Sequence, residues 1–129
     1  MKVLLDTCAF VWLCSNPDRF SSEARSVFND NDPLDLYLSD ASVFEIALKC
    51  SQGKMELPEP PREWIAHQLE TWRIQSLEIS HEVLFSSAEL PWHHKDPFDR
   101  LIIATAKNFG LPVMTSDRSF PLYDIKVVW

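Results

Sequence analysis

Hydrophobic and polar positions along this chain fall into short blocks whose period switches repeatedly. KVLLD (2–6) is a β-rich run closed by an acid, and Thr7 stands where a helix through FVWLC needs its N-cap. Ser21-Ser22-Glu23 opens a second helical block, EARSVF, stopped by the NDNDP turn at 29–33. LDLYLS (34–39) alternates as a strand, and SVFEIALKC (42–50) reads as helix. SQGKMELPEPP (51–61) is a turn-rich loop, of a length that often signals function or mobility. PREWIAHQLETW (61–72) starts with proline and sets Trp64, Ile65, Leu69 and Trp72 at helical spacing. IQSLEIS is strand-like, HEVLFSSAEL helical, and DPFDRLIIATAKNF helical with Gly110 as its stop. PVMTSD (112–117) and IKVVW (125–129) are strand-like.

Strands alternating with helices predict βαβ units: an α/β fold with a parallel sheet covered by helices on both faces, formed as a single domain over 1–129. In such sheets ligands sit beyond the carboxyl ends of the strands. Asp6 ends the first strand and Asp117 ends PVMTS, so both are expected at one rim.

Composition narrows the chemistry. Two glycines in 129 residues exclude both a Walker loop and a dinucleotide fingerprint. The apolar N-terminus carries Asp6 and is too short to span a bilayer, so it reads as a buried strand leading into a helix. Cys8, Cys14 and Cys50 show no zinc spacing, and their odd count argues against a disulfide framework. They read as small buried hydrophobes in a reducing cytoplasm. A net charge of −7 does not suit direct phosphate neutralisation. Acids gathered around divalent cations would reverse the local sign.

Glu45 lies inside the apolar stretch VFEIAL, where a carboxylate is expensive unless paired or bound to a cation. Lys49, four residues on, is its alternative partner. In DPFD, Asp96 suits an N-cap, Pro97 the first helical position and Asp99 the first turn. Their i, i+3 spacing also lets both acids face one pocket, Asp96 mainly capping and Asp99 mainly reaching inward. Carboxylates converging there would raise one another's pKa unless Mg²⁺ or Mn²⁺ joined them. Such a site suits phosphodiester hydrolysis by metal-activated water.

The strand ending LLDT, then SVFEIALK, HKDPFDRLIIATA and VMTSD, in this order and nearly end to end, resembles a PIN domain. The closest type is the VapC-like toxin ribonuclease of toxin–antitoxin pairs. The resemblance implies a three-layer α/β/α sandwich and Mg²⁺- or Mn²⁺-dependent cleavage of RNA to 3′-OH and 5′-phosphate ends. It carries the family's catalytic and metal-binding acids onto Asp6, Glu45, Asp99 and Asp117, with Asp96 as a further candidate ligand. It also implies a homodimer and a cognate antitoxin that blocks the cleft, in the cytoplasm and without a membrane. The acidity of the chain would then match a basic antitoxin segment.

Other residues have two readings. Thr115 matches a supporting hydroxyl position in or beside the substrate site, or is a plain strand threonine. Arg100 touches a substrate phosphate, or pairs with Asp96. His93 and His94 attract phosphate or transfer protons, or belong to a solvated loop. Trp92 stacks on a base or packs. Two rival functions remain. A receiver-like phosphoacceptor domain would need an acidic pair after strand one and a late-strand lysine, but Asp6 stands alone and Lys126 lies in the wrong context. A catalytically silent PIN-like binding module would not need all four acids.

Overall fold

The computed structural model describes residues 1–29 and 32–129, so Asp30 and Asn31, within the expected 29–33 turn, lie outside the described residues. The chain alternates β1 (Lys2–Leu5), α1 (Thr7–Ser15), α2 (Ser22–Asn29), β2 (Asp35–Ser39), α3 (Asp40–Ser51) and α4 (Pro61–Thr71). There follow β3 (Gln75–Leu77), α5 (His81–Glu89), α6 (Pro97–Phe109), β4 (Val113–Met114) and β5 (Val127–Val128). Two 3-10 turns that periodicity does not foretell, Pro17–Arg19 and Phe120–Tyr123, complete the path.

The five strands form one sheet in the order β3-β2-β1-β4-β5, and every neighbouring pair is parallel. From β1 the chain steps outward through β2 to β3, then returns to place β4 on the other side of β1. This reversal opens a crevice beyond the carboxyl ends of β1 and β4. The receiver-like alternative requires the order 2-1-3-4-5, which the sheet does not have.

Alternation within β1 builds the three layers. Val3 and Leu5 join the core that includes Phe10, Ile46, Trp64 and Ile65 from α1, α3 and α4. Leu4 points the other way, into a core with Val83, Ile102, Ile103 and Phe120. Burial on both faces explains why Val3–Leu5 of β1 is continuously apolar rather than alternating with polar residues. Among the described residues no helix is long and apolar enough to cross a membrane.

Local departures from expectation have local causes. Asp6, not Thr7, caps α1: its Oδ1 accepts from the Ala9 N–H at 2.7 Å. Thr7 instead donates its hydroxyl to Ser42 Oγ at 2.9 Å, tying α1 to α3. β4 stops at Met114, short of the expected 117, because the Asp117 N–H turns back to Thr115 Oγ1 at 3.0 Å. Gly110 ends α6 in the left-handed region at φ 63°, as the sequence predicts.

Candidate active site

Three helices begin at the rim where β1, β2 and β4 end. Asp6 follows β1 directly and is 5% exposed. Ser39 caps α3, whose second turn carries Glu45. Asp96 caps α6, with Oδ1 accepting from Phe98 N at 2.8 Å and Asp99 N at 3.1 Å, so that Asp99 sits on the first turn. Residues from three distant segments thus meet in the first turns of three helices, where backbone dipoles favour negative charge.

The acids lie near enough to raise one another's pKa. Burial pushes Asp6 up to about 6; the Thr115 hydroxyl and Ala9 N–H oppose this, while Asp117 and Glu45 add to it. Asp99 rises to about 7, first through burial and then through Asp96, against which His94 pulls downward, with Asp6 and Glu45 adding further upward pressure. Glu45 is 5% exposed. Its Oε2 meets Lys49 Nζ at 2.6 Å, yet its Oε1 is buried without any partner, alone in this respect among the described side chains. The expected Lys49 pair is therefore made by one oxygen of Glu45, and the other oxygen is left without a partner.

Asp117 is different. Burial raises its carboxyl, but hydrogen bonds from the Ser119 N–H and hydroxyl and from His94 outweigh that and leave it lowered. Those bonds measure 2.8, 2.7 and 3.0 Å. His94 Nε2 also stands 3.0 Å from Asp99 Oδ2.

Residues 3–126 match the PIN domain family. This chain is a PIN domain. Ribonuclease VapC22 of Mycobacterium tuberculosis (strain ATCC 25618 / H37Rv) is 32% identical over 117 residues, covering 90% of this chain and 87% of that protein. The crystal structure of FitAcB from Neisseria gonorrhoeae superposes with a TM-score of 0.61 at 27% identity, over 97% of this chain and 95% of that one. VapBC2 from Rickettsia felis, bound to a DNA fragment from its promoter, gives 0.73 at 16% identity over 98% and 97%, a likeness of fold alone.

The supporting residues of this PIN domain correct several expectations. Arg100 makes no ion pair with Asp96 and turns its donors inward. It is 3% exposed, and its guanidinium donates to the carbonyls of Pro91, His94, Ser87 and Leu90 at 2.8–3.1 Å while stacking on Trp92 at 3.8 Å. Four backbone acceptors in one fork hold the 87–94 segment as no neighbouring carboxylate could. Trp92 gives one face to that guanidinium and remains 72% exposed. Thr115, at 1% exposure, is too deep to meet a substrate and acts instead on Asp6 and the Asp117 backbone.

His94 lies in the cleft rather than in a solvated loop, while His93 packs edge-on against Tyr123. Cys8 is exposed, not buried; its thiol is raised to about 11, by desolvation first and then by Asp6, Asp99 and Glu45. Cys14 and Cys50 are half-buried. Sequence reasoning missed the Thr7–Ser42 pair and Tyr123, whose hydroxyl accepts from the His94 N–H and donates to Pro91 O. No local pattern signals a tyrosine acting 29 residues away.

Proposed function

We propose that this chain is a divalent-cation-dependent endoribonuclease of VapC type, the toxin of a toxin–antitoxin pair. Glu45 Oε1 carries the reading: a buried carboxylate oxygen without a partner, in the cleft where Asp6 and Asp99 hold their protons unusually tightly. An unsatisfied buried acceptor is costly, and a cation is the partner that serves three carboxylates together. The donors are hard oxygens, which suit Mg²⁺ or Mn²⁺.

Asp6, the free oxygen of Glu45 and Asp99 would hold the ion, with Asp117 on the rim. When bound, it supplies activation of water and neutralises charge developing on the scissile phosphate. The protein's own side chains do the positioning. Ala9 N–H and the Thr115 hydroxyl orient Asp6. Lys49 engages one Glu45 oxygen and leaves the other free. Asp96 fixes the helix start that presents Asp99. The substrate is an RNA phosphodiester, and the partners are a cognate antitoxin and a second copy of the chain, in the cytoplasm. The name and 32% identity of the mycobacterial ribonuclease support RNA over DNA.

End-labelled RNA incubated with the protein and Mg²⁺ or Mn²⁺ tests this. Cleavage is expected, abolished by chelation and by Asp6→Asn at unchanged circular dichroism, with single-stranded DNA of the same sequence left intact. Undiminished cleavage by Asp6→Asn contradicts the assignment.

A further inference from the structure

His94 is held more firmly than a loop histidine needs to be. Its backbone N–H donates to Tyr123 Oη at 2.7 Å, and its carbonyl accepts from Arg100 at 3.1 Å. Its ring lies edge-on to Phe120, and Nδ1 accepts the Asp96 N–H at 3.1 Å. A backbone N–H can only donate, so Nδ1 must present its lone pair and the ring proton must sit on Nε2. Nε2 is the atom that lies 3.0 Å from both Asp99 Oδ2 and Asp117 Oδ2. One N–H is therefore shared between two carboxylates.

The ligating atoms of His94, Asp99 and Asp117 fall within 4.8 Å of one another, a spacing that would suit a metal ion. The tautomer argues against one. As a ligand, Nε2 would need its lone pair, and the proton would have to move to Nδ1, facing the Asp96 N–H. The imidazole would lose that hydrogen bond and set two donors against each other. Asp117 is also occupied on its other oxygen, by both donors of Ser119.

We infer that the His94 N–H takes the place of a second cation between Asp99 and Asp117, so that this PIN domain holds a single divalent ion per chain. His94 is a positioning residue: it engages one oxygen of Asp99 and leaves the other for the ion near Asp6 and Glu45. The inference rests on the cation-site reading above and adds its stoichiometry and the cause.

The test is Mn²⁺ titration of the intact protein, followed by calorimetry and by the electron paramagnetic resonance of free Mn²⁺. The expected result is one ion per chain in the wild type and two in His94→Ala, returning to one in His94→Ala/Asp117→Asn. His94→Gln, which retains an N–H donor, is expected to stay at one. Two ions in the wild type, or one in a folded His94→Ala, overturn the inference while leaving the ribonuclease reading standing. No Mn²⁺ bound at all overturns both. Long-range ¹H–¹⁵N spectra of wild-type histidines provide a readout independent of any variant. They should show His94 protonated at Nε2, with and without saturating Mg²⁺. Transfer of the proton to Nδ1 on adding Mg²⁺ identifies a metal ligand and overturns the inference.

Discussion

Asp99 and Arg100 are adjacent in the chain and both withdrawn from solvent, yet their charges meet opposite surroundings. The Arg100 guanidinium faces four carbonyls and an indole, so its burial is compensated on the spot. Asp99 faces Asp6, Glu45 and Asp96, against which the shared His94 N–H and the start of α6 act in its favour. A satisfied buried charge rigidifies structure, whereas a crowd of buried acids with an orphaned oxygen costs the fold stability. The two kinds of burial cooperate, because the Arg100 staple holds the 87–94 segment that delivers His94 to the acids.

Breaking the functional side should have the largest effect. Asp99→Asn preserves shape but removes a charge, and should lower RNA cleavage on the order of 10²–10³-fold in initial-rate assays. Breaking the structural side comes next. Arg100→Ala leaves four carbonyls without their shared donor and should destabilise the fold by about 3 kcal/mol in urea titrations. Arg100→Lys should recover only part of that, since a single ammonium cannot replace the planar fork.

A smaller effect has the opposite sign. Asp6 has a folded pKa of about 6 against the ordinary 3.8, so the cation-free native state binds the proton more tightly than the unfolded chain. Its contribution to stability is greatest below 3.8, declines as pH rises toward about 6, and is flat above. Asp6→Asn keeps a competent cap and should therefore stabilise the cation-free protein at pH 7, by roughly 2 kcal/mol. The advantage should vanish in melts near pH 3. Smallest is the cap of α6: Asp96→Ala should cost about 1 kcal/mol in thermal denaturation, and Asp96→Asn should restore it.

Periodicity and cap chemistry made most of the fold legible. The order of helices and strands, the start of α6 at DPFD and its stop at Gly110 follow from side chains acting on their nearest neighbours. The placement of Asp6 and Asp117 at one rim followed from strand direction, and that of Asp99 from the helix start at DPFD. Glu45 was visible as an acid in an apolar run, though sequence could not show that its two oxygens have different fates. Arg100 was misread because its partners are backbone carbonyls of a loop, and no side-chain pattern encodes their positions. Thr115 was readable only as a hydroxyl near an acid; its depth depends on its place just after β4, which ends at Met114. The placement of His94 depends on Tyr123 and Asp117, contacts spanning 29 and 23 residues, which only the closed fold brings together.

The central claim is that Asp6, Glu45 and Asp99 form a cation site whose protons an ion displaces. Calorimetric titration with Mg²⁺ at pH 6, in buffers of different ionisation enthalpy, counts those protons. Asp99 near 7 and Asp6 near 6 predict release of roughly one and a half protons per ion at pH 6, fading toward zero by pH 9, with affinity rising across that range. Binding that releases no proton at pH 6, or that is equally tight in Asp99→Asn, contradicts it.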